Sequence, residues 1–215
     1  MEFSMTLVIV ILTAITSVAA FSNEKLMNEL IFHPPSVSEK NQYYRFITCG
    51  LIHADYAHLI FNMFSLYMFG EFVELYFKIV FGKSGNLLYL LMYVTALAIC
   101  LLPTYSKNRN NYNYYSLGAS GAVSAVIFAA LLFAPLTKIG FFFIPPFIPG
   151  FIFGPIYLLI SAYLDKKGAG NINHSAHYWG AVYGLAFVIV GAYAASGYPV
   201  LTRFIDQVKG YLGMA

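Results

Sequence analysis

Charged residues are scarce in this sequence, at 10% of its 215 residues, whereas soluble domains carry about 25%. The net charge of +3 is small and spread along the chain, which excludes the basic surface that nucleic-acid binding requires. Long hydrophilic stretches are also missing, so we predict a single membrane domain over residues 1–215 and no separate soluble domain. What is present instead is a hydrophobic fraction of 60%, gathered into long apolar runs.

Cysteine is almost absent as well. Cys49 lies in a connecting segment and Cys100 lies inside an apolar run, so the pair does not suggest a disulfide framework. Positive charge is missing from residues 1–4, although a secretory signal peptide normally begins with Lys or Arg. We therefore interpret residues 5–21 as a retained membrane span, with signal-peptidase cleavage after residues 17–20 as the alternative.

Six apolar runs are candidates for membrane spans, since a span needs roughly 17–25 mostly apolar residues. They cover residues 5–21, 57–80, 86–103, 119–134, 149–164 and 176–196. Pro, Gly, Asn and charged residues punctuate the gaps between them. The sequence thus predicts an all-α bundle of six transmembrane helices, embedded in a lipid bilayer.

The fourth run is shorter than a full span. Between Ser120 and Pro135, which should end it, a helix would be roughly 22 Å long, whereas the hydrocarbon layer is roughly 30 Å thick. One end of this helix should therefore lie inside the membrane, and the backbone that leads into it must line protein or water. A serine at that depth, in a glycine-rich turn, is a candidate for chemistry.

Two connecting segments also carry predictions. Residues 22–56 mix charged and apolar side chains, which indicates a partly ordered segment at the membrane interface, with an unstructured loop as the alternative. The prolines within residues 141–150 exclude a regular helix through that stretch. We expect an apolar loop there, which dips into one leaflet before the fifth span.

Polar groups near the start of the second span form the first chemical motif. His58 and Asn62 are four residues apart, so they share one helix face, and both can donate hydrogen bonds. His53 precedes them in the same connection. Polar groups inside spans are costly and tend to be functional. Taken alone, His58 and Asn62 are also explained by hydrogen bonds that merely tie helices together.

A second motif surrounds Ser120. Gly118 and Gly121 permit a tight turn and a close approach of the backbone. A helix that begins at Ser120 would favour negative charge developing at its N-terminus. Taken alone this motif is weak, because small residues also suit a packing face between membrane helices.

The third motif contains His177. Gly180 and Gly184 have the spacing of close-packed membrane helices, and His177 lies one turn before them. If this glycine face packs on small residues around Ser120, the imidazole comes near the hydroxyl, which is the minimum for an activated nucleophile. A metal site that includes His174 is the alternative, but no H-E-x-x-H motif and no aspartate within a span accompanies it.

These motifs resemble those of the rhomboid intramembrane serine proteases, over about residues 43–195. Three strings carry the resemblance, in order, on the second, fourth and sixth spans: His53-x4-His58-x3-Asn62, Gly118-x-Ser120-Gly121 and Ala176-His177-x2-Gly180-x3-Gly184. Tyr44 and Arg45 resemble the family's aromatic-Arg pair in the first loop, with Tyr in place of Trp. Glu74 resembles a glutamate near the far end of the family's second span. The residues after 197 are too polar for a seventh span.

The resemblance implies a Ser–His dyad without an aspartate, in which Ser120 is the nucleophile and His177 its base. His58 and Asn62 would hold the oxyanion together with the backbone N–H of Ser120. Supporting positions implied by the same match are His53, Gly118, Gly121, Gly180 and Gly184. Neither a metal nor a cofactor is implied. Substrates would be membrane-spanning helices that unwind locally and enter beside the fifth span.

Hydrolysis inside a bilayer needs water, so we predict a polar cavity that opens to one face. Its expected lining is His53, His58, Asn62, Ser116, Ser120, Asn173, His174 and His177. Its expected rim is Tyr112, Tyr114 and Tyr115.

Two other functions remain open from the sequence: an inactive rhomboid-like protein that binds membrane helices, and a His-lined metal or proton transporter. Inactive relatives usually lack the serine or the histidine, and both residues are present here.

The orientation in the membrane is not fixed by charge. If the predicted spans alternate in direction, the connections on the side of residues 22–56 carry seven Lys and Arg residues and those on the other side carry five. We expect a multi-pass protein of a bacterial plasma membrane, with an organelle or eukaryotic secretory membrane as the alternative.

Overall fold

The computed structural model describes residues 4–141, 144–168 and 172–214 of a mainly helical chain. The α-helices of the described residues are α1 (Met5–Phe21), α2 (Glu24–Leu30), α3 (Pro34–Lys40), α4 (Arg45–Thr48), α5 (Tyr56–Phe81), α6 (Gly85–Ile99), α7 (Leu102–Asn108), α8 (Ser120–Phe133), α9 (Gly150–Lys167), α10 (His174–Gly191) and α11 (Val200–Tyr211). A π-helical turn, Ala192–Ser196, extends α10. Helices therefore occur at all six predicted runs.

Two helical stretches are long and apolar enough to cross a membrane by length and composition: Tyr56–Asn108, which contains α5 and α6, and His174–Ser196. Met5–Phe21 and Ser120–Phe133 are shorter apolar helices. The third run ends earlier than predicted, because α6 stops at Ile99 and α7 starts a new helix with a proline in its first turn. Proline lacks an N–H and suits a helix start better than a helix interior.

A β-hairpin replaces much of the loop expected at residues 141–150. Strand β1 (Lys138–Phe141) pairs antiparallel with β2 (Ile144–Pro149), so the prediction of an all-α chain with a loop here is wrong at this point. Residues 142 and 143 of that predicted loop lie outside the described residues. Proline cannot continue a helix but is tolerated on edge strands, and a two-stranded hairpin has only edges.

Helix α8 is the centre of the fold: α5, α6, α9, α10 and α11 all contact it. Every α8 residue except Ser120 and Ile127 is buried, as expected of a helix that is apolar on all sides. Its 14 residues correspond to about 21 Å, which confirms the predicted short helix. Ser120 is therefore presented at the N-terminus of a helix surrounded by protein.

The segment before α5 is ordered by three short helices, α2, α3 and α4, so the alternative of an unstructured loop is wrong. Arg45 is only 7% exposed and its guanidinium holds the segment together. Its Nη1 donates to the carbonyl oxygens of Asn28, at 2.9 Å, and Ile31, at 2.6 Å. The Arg45 Cζ atom also lies 5.5 Å from the centroid of the Tyr44 ring.

Helix α11 is amphipathic. The sequence predicts no seventh span after residue 197, but it did not predict this helix. Val200 is buried, whereas Leu201 and Ile205 are exposed. Gln207 Nε2 donates to the Phe133 carbonyl at 3.3 Å, so α11 caps the far end of α8.

Glu74 of α5 fastens the start of α1. Its carboxylate accepts hydrogen bonds from the backbone N–H groups of Met5 and Thr6, both at 3.0 Å, and from the Thr6 hydroxyl at 3.1 Å. A carboxylate at a helix N-terminus satisfies free N–H groups and interacts favourably with the helix dipole.

Replacing this carboxylate should loosen α1. We expect Glu74→Ala to lower the free energy of unfolding by about 1–3 kcal/mol, because buried N–H groups lose their acceptor. Thermal unfolding in detergent measures the effect. Glu71→Ala is the matched control, since Glu71 is exposed and accepts only from the Ser4 hydroxyl among the contacts of α1 described here. Equal effects of the two substitutions would contradict the role of Glu74.

Candidate active site

The site is centred on one contact between two helices that are distant in sequence. Ser120 is the first residue of α8, and His177 lies in the first turn of α10. His177 Nε2 is 2.6 Å from Ser120 Oγ, which is hydrogen-bond distance. The structure thus brings together the serine and the histidine that the sequence motifs singled out.

Two glycines allow this approach. A Cβ atom at Gly180 would lie 2.0 Å from the carbonyl oxygen of Gly121, and one at Gly184 would lie 2.2 Å from that of Ala125. Any larger residue would push the backbones apart, because real Cβ contacts are never so short. The predicted packing of the α10 glycine face on the small-residue face of α8 is confirmed.

The turn before Ser120 also depends on glycine. Gly118 has φ of 108°, a conformation that other residues rarely adopt. Its N–H donates to the Cys49 carbonyl at 2.9 Å. A Cβ atom at Gly121 would lie 2.5 Å from Cys100 Sγ, so Gly118 is required for its backbone conformation and Gly121 for space.

His53 supports the turn before Ser120 through hydrogen bonds. The Ser17 hydroxyl donates to the Leu51 carbonyl at 2.9 Å, so Ser17 Oγ accepts from His53 Nδ1 at 3.0 Å. The His53 Nε2 atom is then the acceptor for the N–H of Ala119, at 3.4 Å. This network assigns the neutral tautomer with a proton on Nδ1. His53 is completely buried and supports the residue next to Ser120.

His58 presents a donor to the same turn. The Ala54 N–H donates to His58 Nδ1 at 3.4 Å, which assigns the proton of the neutral ring to Nε2. A Cβ atom at Gly118 would lie 2.9 Å from this Nε2 atom, so the donor faces the turn that leads to Ser120.

Asn62 lies one helical turn below His58. It is 3% exposed, and its Nδ2 donates to the His58 carbonyl at 2.9 Å. An amide nitrogen carries two protons, so the second N–H can serve an acceptor in the adjoining cavity. His58 therefore lies beside the turn that leads to Ser120, and Asn62 borders the same cavity as Ser120.

A cavity of about 1610 Å³ opens from the dyad along α5, α8 and α9. Six residues of the predicted polar lining border it: His58, Asn62, Ser116, Ser120, Asn173 and His177. The other two predictions are wrong, because His53 is sealed behind the turn, and His174 borders a separate cavity of about 180 Å³. Of the predicted tyrosine rim, Tyr115 borders the large cavity and Tyr114 the small one.

Tyr157 of α9 is a site residue that the motifs did not reveal. The Ser124 hydroxyl donates to the Ser120 carbonyl at 2.9 Å, so Ser124 Oγ accepts from the Tyr157 hydroxyl at 3.0 Å. Tyr157 also borders the large cavity. A single tyrosine in an apolar run gives no signal of this role, because its partner lies on another helix.

His33 is a second contact residue that the motifs did not reveal, since it lies outside them. Its Nε2 donates to the Tyr112 carbonyl at 3.2 Å, and its ring stacks on Tyr115 with 4.7 Å between centroids. The Tyr112 hydroxyl donates to the Glu39 carboxylate, which raises the pKa of Tyr112 above its usual value. These contacts fasten the segment before α5 to residues 112–118, which lead to Ser120.

Metal ligation was the alternative explanation for the histidines. Across residues 4–141, 144–168 and 172–214, no group of three or more His, Cys, Asp or Glu side chains is arranged to hold a metal ion. The His174 and His177 rings are 6.1 Å apart between centroids and nearly perpendicular. Cys49 and Cys100 are buried free thiols.

The family model of the Rhomboid domain matches residues 40–194, and the chain belongs to the rhomboid family. Members of this family are integral membrane proteins and are generally serine proteases that act on membrane-spanning substrates.

A curated relative is the RHOMBOID-like protein 12, mitochondrial, of Arabidopsis thaliana. It is 28% identical over an alignment of 171 positions, which covers 75% of this chain and 50% of that protein. The chain therefore spans about half the length of this relative.

The glycine contact between α8 and α10 can be tested directly. We expect Gly184→Ala to separate Ser120 from His177 and to slow labelling by a fluorophosphonate, a reagent for activated serines, about 10²-fold. The matched control is Gly191→Ala on the same helix, where a Cβ atom would lie 3.4 Å from Phe81 Cζ and fit without displacement. Equal labelling rates for the two variants would contradict the requirement for close packing.

Proposed function

We propose that this chain is an intramembrane serine endopeptidase, which hydrolyses peptide bonds in or near the transmembrane helices of other membrane proteins. The observation that carries the proposal is the distance of 2.6 Å between Ser120 Oγ and His177 Nε2. Membership of the rhomboid family supports it. The proposed enzyme crosses the membrane six times, through α1, α5, α6, α8, α9 and α10, and uses neither metal nor cofactor.

The proposed reaction begins when Ser120 Oγ attacks the scissile carbonyl carbon while His177 Nε2 takes the hydroxyl proton. The tetrahedral intermediate collapses as His177 gives this proton to the leaving amine and the C–N bond breaks. A water molecule then attacks the acyl-enzyme, with His177 again as base. In the second collapse the bond between the acyl carbon and Ser120 Oγ breaks, His177 gives that oxygen the proton taken from water, and the acid product is released.

Negative charge on the carbonyl oxygen needs donors in both tetrahedral intermediates. Ser120 is the first residue of α8, so its own N–H is free of the helix ladder. His58 Nε2–H faces the turn before Ser120, and Asn62 has a second amide proton for an acceptor in the cavity. We assign the oxyanion to these three donors.

The shape of the large cavity suits a helical substrate. Away from the dyad its lining becomes apolar, with Phe61, Phe64 and Met68 from α5 facing Phe153 and Tyr157 from α9. A helix from the bilayer would enter between α5 and α9 and unwind locally to reach Ser120. Helix α9 contains Pro155, which weakens its hydrogen-bond ladder and makes it the helix best suited to move. We propose that the enzyme is a multi-pass protein of a bacterial plasma membrane, and the mitochondrial name of the Arabidopsis relative makes an organelle membrane the alternative.

Two other functions make different predictions. An inactive helix-binding protein requires neither Ser120 nor His177, so their contact at 2.6 Å favours the enzyme. A metal or proton transporter requires a ligand cluster or a relay and makes Ser120 dispensable.

Fluorophosphonate labelling in detergent tests the dyad. We expect the wild type to be labelled, and labelling to be lost in Ser120→Ala, which removes the nucleophile, and in His177→Ala, which removes its base. Ser22→Ala, at the exposed end of α1, is the control and should be labelled like the wild type. Full labelling of Ser120→Ala would eliminate the proposed mechanism.

Cleavage of a reconstituted transmembrane substrate tests the oxyanion donors. We expect Asn62→Ala to lower kcat about 10²–10³-fold, because one donor to the oxyanion is lost. The melting temperature shows whether the variant is folded. An unchanged kcat in a folded variant would remove Asn62 from this role.

A further inference from the structure

A second polar contact joins the two segments that carry the dyad. Asn173 Nδ2 donates to Ser116 Oγ at 3.3 Å. Asn173 lies four residues before His177, and Ser116 lies four residues before Ser120. The two contacts therefore connect the same pair of segments, one at the dyad and the other four residues before it in each segment.

The orientation of the Asn173 amide is fixed by its other bonds. Asn173 is the N-cap of α10, and its Oδ1 accepts from the backbone N–H of Ala176 at 3.1 Å. The same oxygen accepts from the hydroxyl of Thr104, a buried residue of α7, at 3.1 Å. With the oxygen occupied by two donors, the amide nitrogen is directed at Ser116.

Ser116 is in turn fixed to the rest of the protein. Its backbone N–H and carbonyl both pair with those of Phe32, at 3.0 Å each. Two residues later the Gly118 N–H is bound to the Cys49 carbonyl. Residues 116–118 have no helical ladder of their own, so these bonds and the one from Asn173 define where the chain enters α8.

The glycine packing of α8 on α10 does not by itself fix the place where the chain enters α8. Gly180 and Gly184 lie below the dyad and set the distance between the helix axes. The position of Ser120 at the very end of α8 depends also on the loop above it. A link from the cap of α10 to that loop constrains the dyad from its other side.

We propose that Asn173 is a positioning residue, which holds Ser116 and thereby sets the approach of Ser120 Oγ to His177 Nε2. The inference rests on the proposed function, since it concerns the efficiency of the same dyad. Asn173 touches neither reacting atom and acts through Ser116. A misplacement of about 1 Å at a reacting group can cost about 10²-fold in rate, so a single bond at this point has a measurable effect.

Two substitutions break the link from opposite ends. Ser116→Ala removes the acceptor, together with the hydrogen bond between Ser116 and the Tyr114 side chain, and leaves the backbone pair with Phe32 intact. Asn173→Ser keeps a side chain that caps helices well but is too short to reach Ser116, and it also gives up the bond from Thr104. We expect each to slow fluorophosphonate labelling about 10-fold and to lower kcat with KM unchanged, because ground-state binding is not altered.

The double variant separates positioning from a general loss of structure. If one bond accounts for both effects, Asn173→Ser combined with Ser116→Ala should be labelled no more slowly than the slower single variant. Asn111→Ser is the matched control: Asn111 is exposed on the same connection, its side chain bonds only to Asn108 and Asn113 in the described structure, and the variant should be labelled at the wild-type rate.

The outcomes are distinguishable. A wild type that is not labelled would overturn the proposed function, and this inference with it. A labelled wild type with equally fast labelling of Ser116→Ala would overturn the positioning role alone. Effects of the two substitutions that multiply in the double variant would also overturn it, since the residues would then act separately. If Asn173→Ser does not fold, Ser116→Ala alone decides, because it leaves the α10 cap in place.

Discussion

The close contact between the backbones of α8 and α10 is the constraint on which the site depends. Gly180 and Gly184 let α10 approach the carbonyls of Gly121 and Ala125 more closely than any side chain would allow. In a membrane, where lipid is as apolar as the helix surface, such packing is a main source of helix association. The same contact fixes the height at which His177 meets Ser120.

The two partners of the dyad are held in different ways. His177 is carried by a continuous helix whose first turn is capped by Asn173. Ser120 ends a stretch of non-helical backbone, which is fixed by the carbonyl of Cys49 and the ring of His53. Non-helical backbone at membrane depth must have its polar groups satisfied by protein or water. The hydrogen bonds that position Ser120 are therefore the same ones that make its buried turn possible.

Much of the fold and of the site was predictable because the relevant signals are local. Apolar runs marked the six main helices, and the glycine spacing placed His177 on the face that packs against α8. The hairpin Lys138–Pro149 was missed because prolines exclude a helix without specifying what replaces it. The place of His53 behind the turn and the bond from Tyr157 to Ser124 depend on partners far away in sequence, which no local pattern records.

The central claim is that Ser120 is a nucleophile because His177 accepts its proton. Mass-spectrometric mapping of the adduct formed by a fluorophosphonate tests it most directly, since the phosphonyl group stays on the serine that attacked. The account predicts an adduct on Ser120 in the wild-type protein and none on that residue in His177→Ala. An adduct on another serine, or one on Ser120 that forms equally fast without His177, would contradict it.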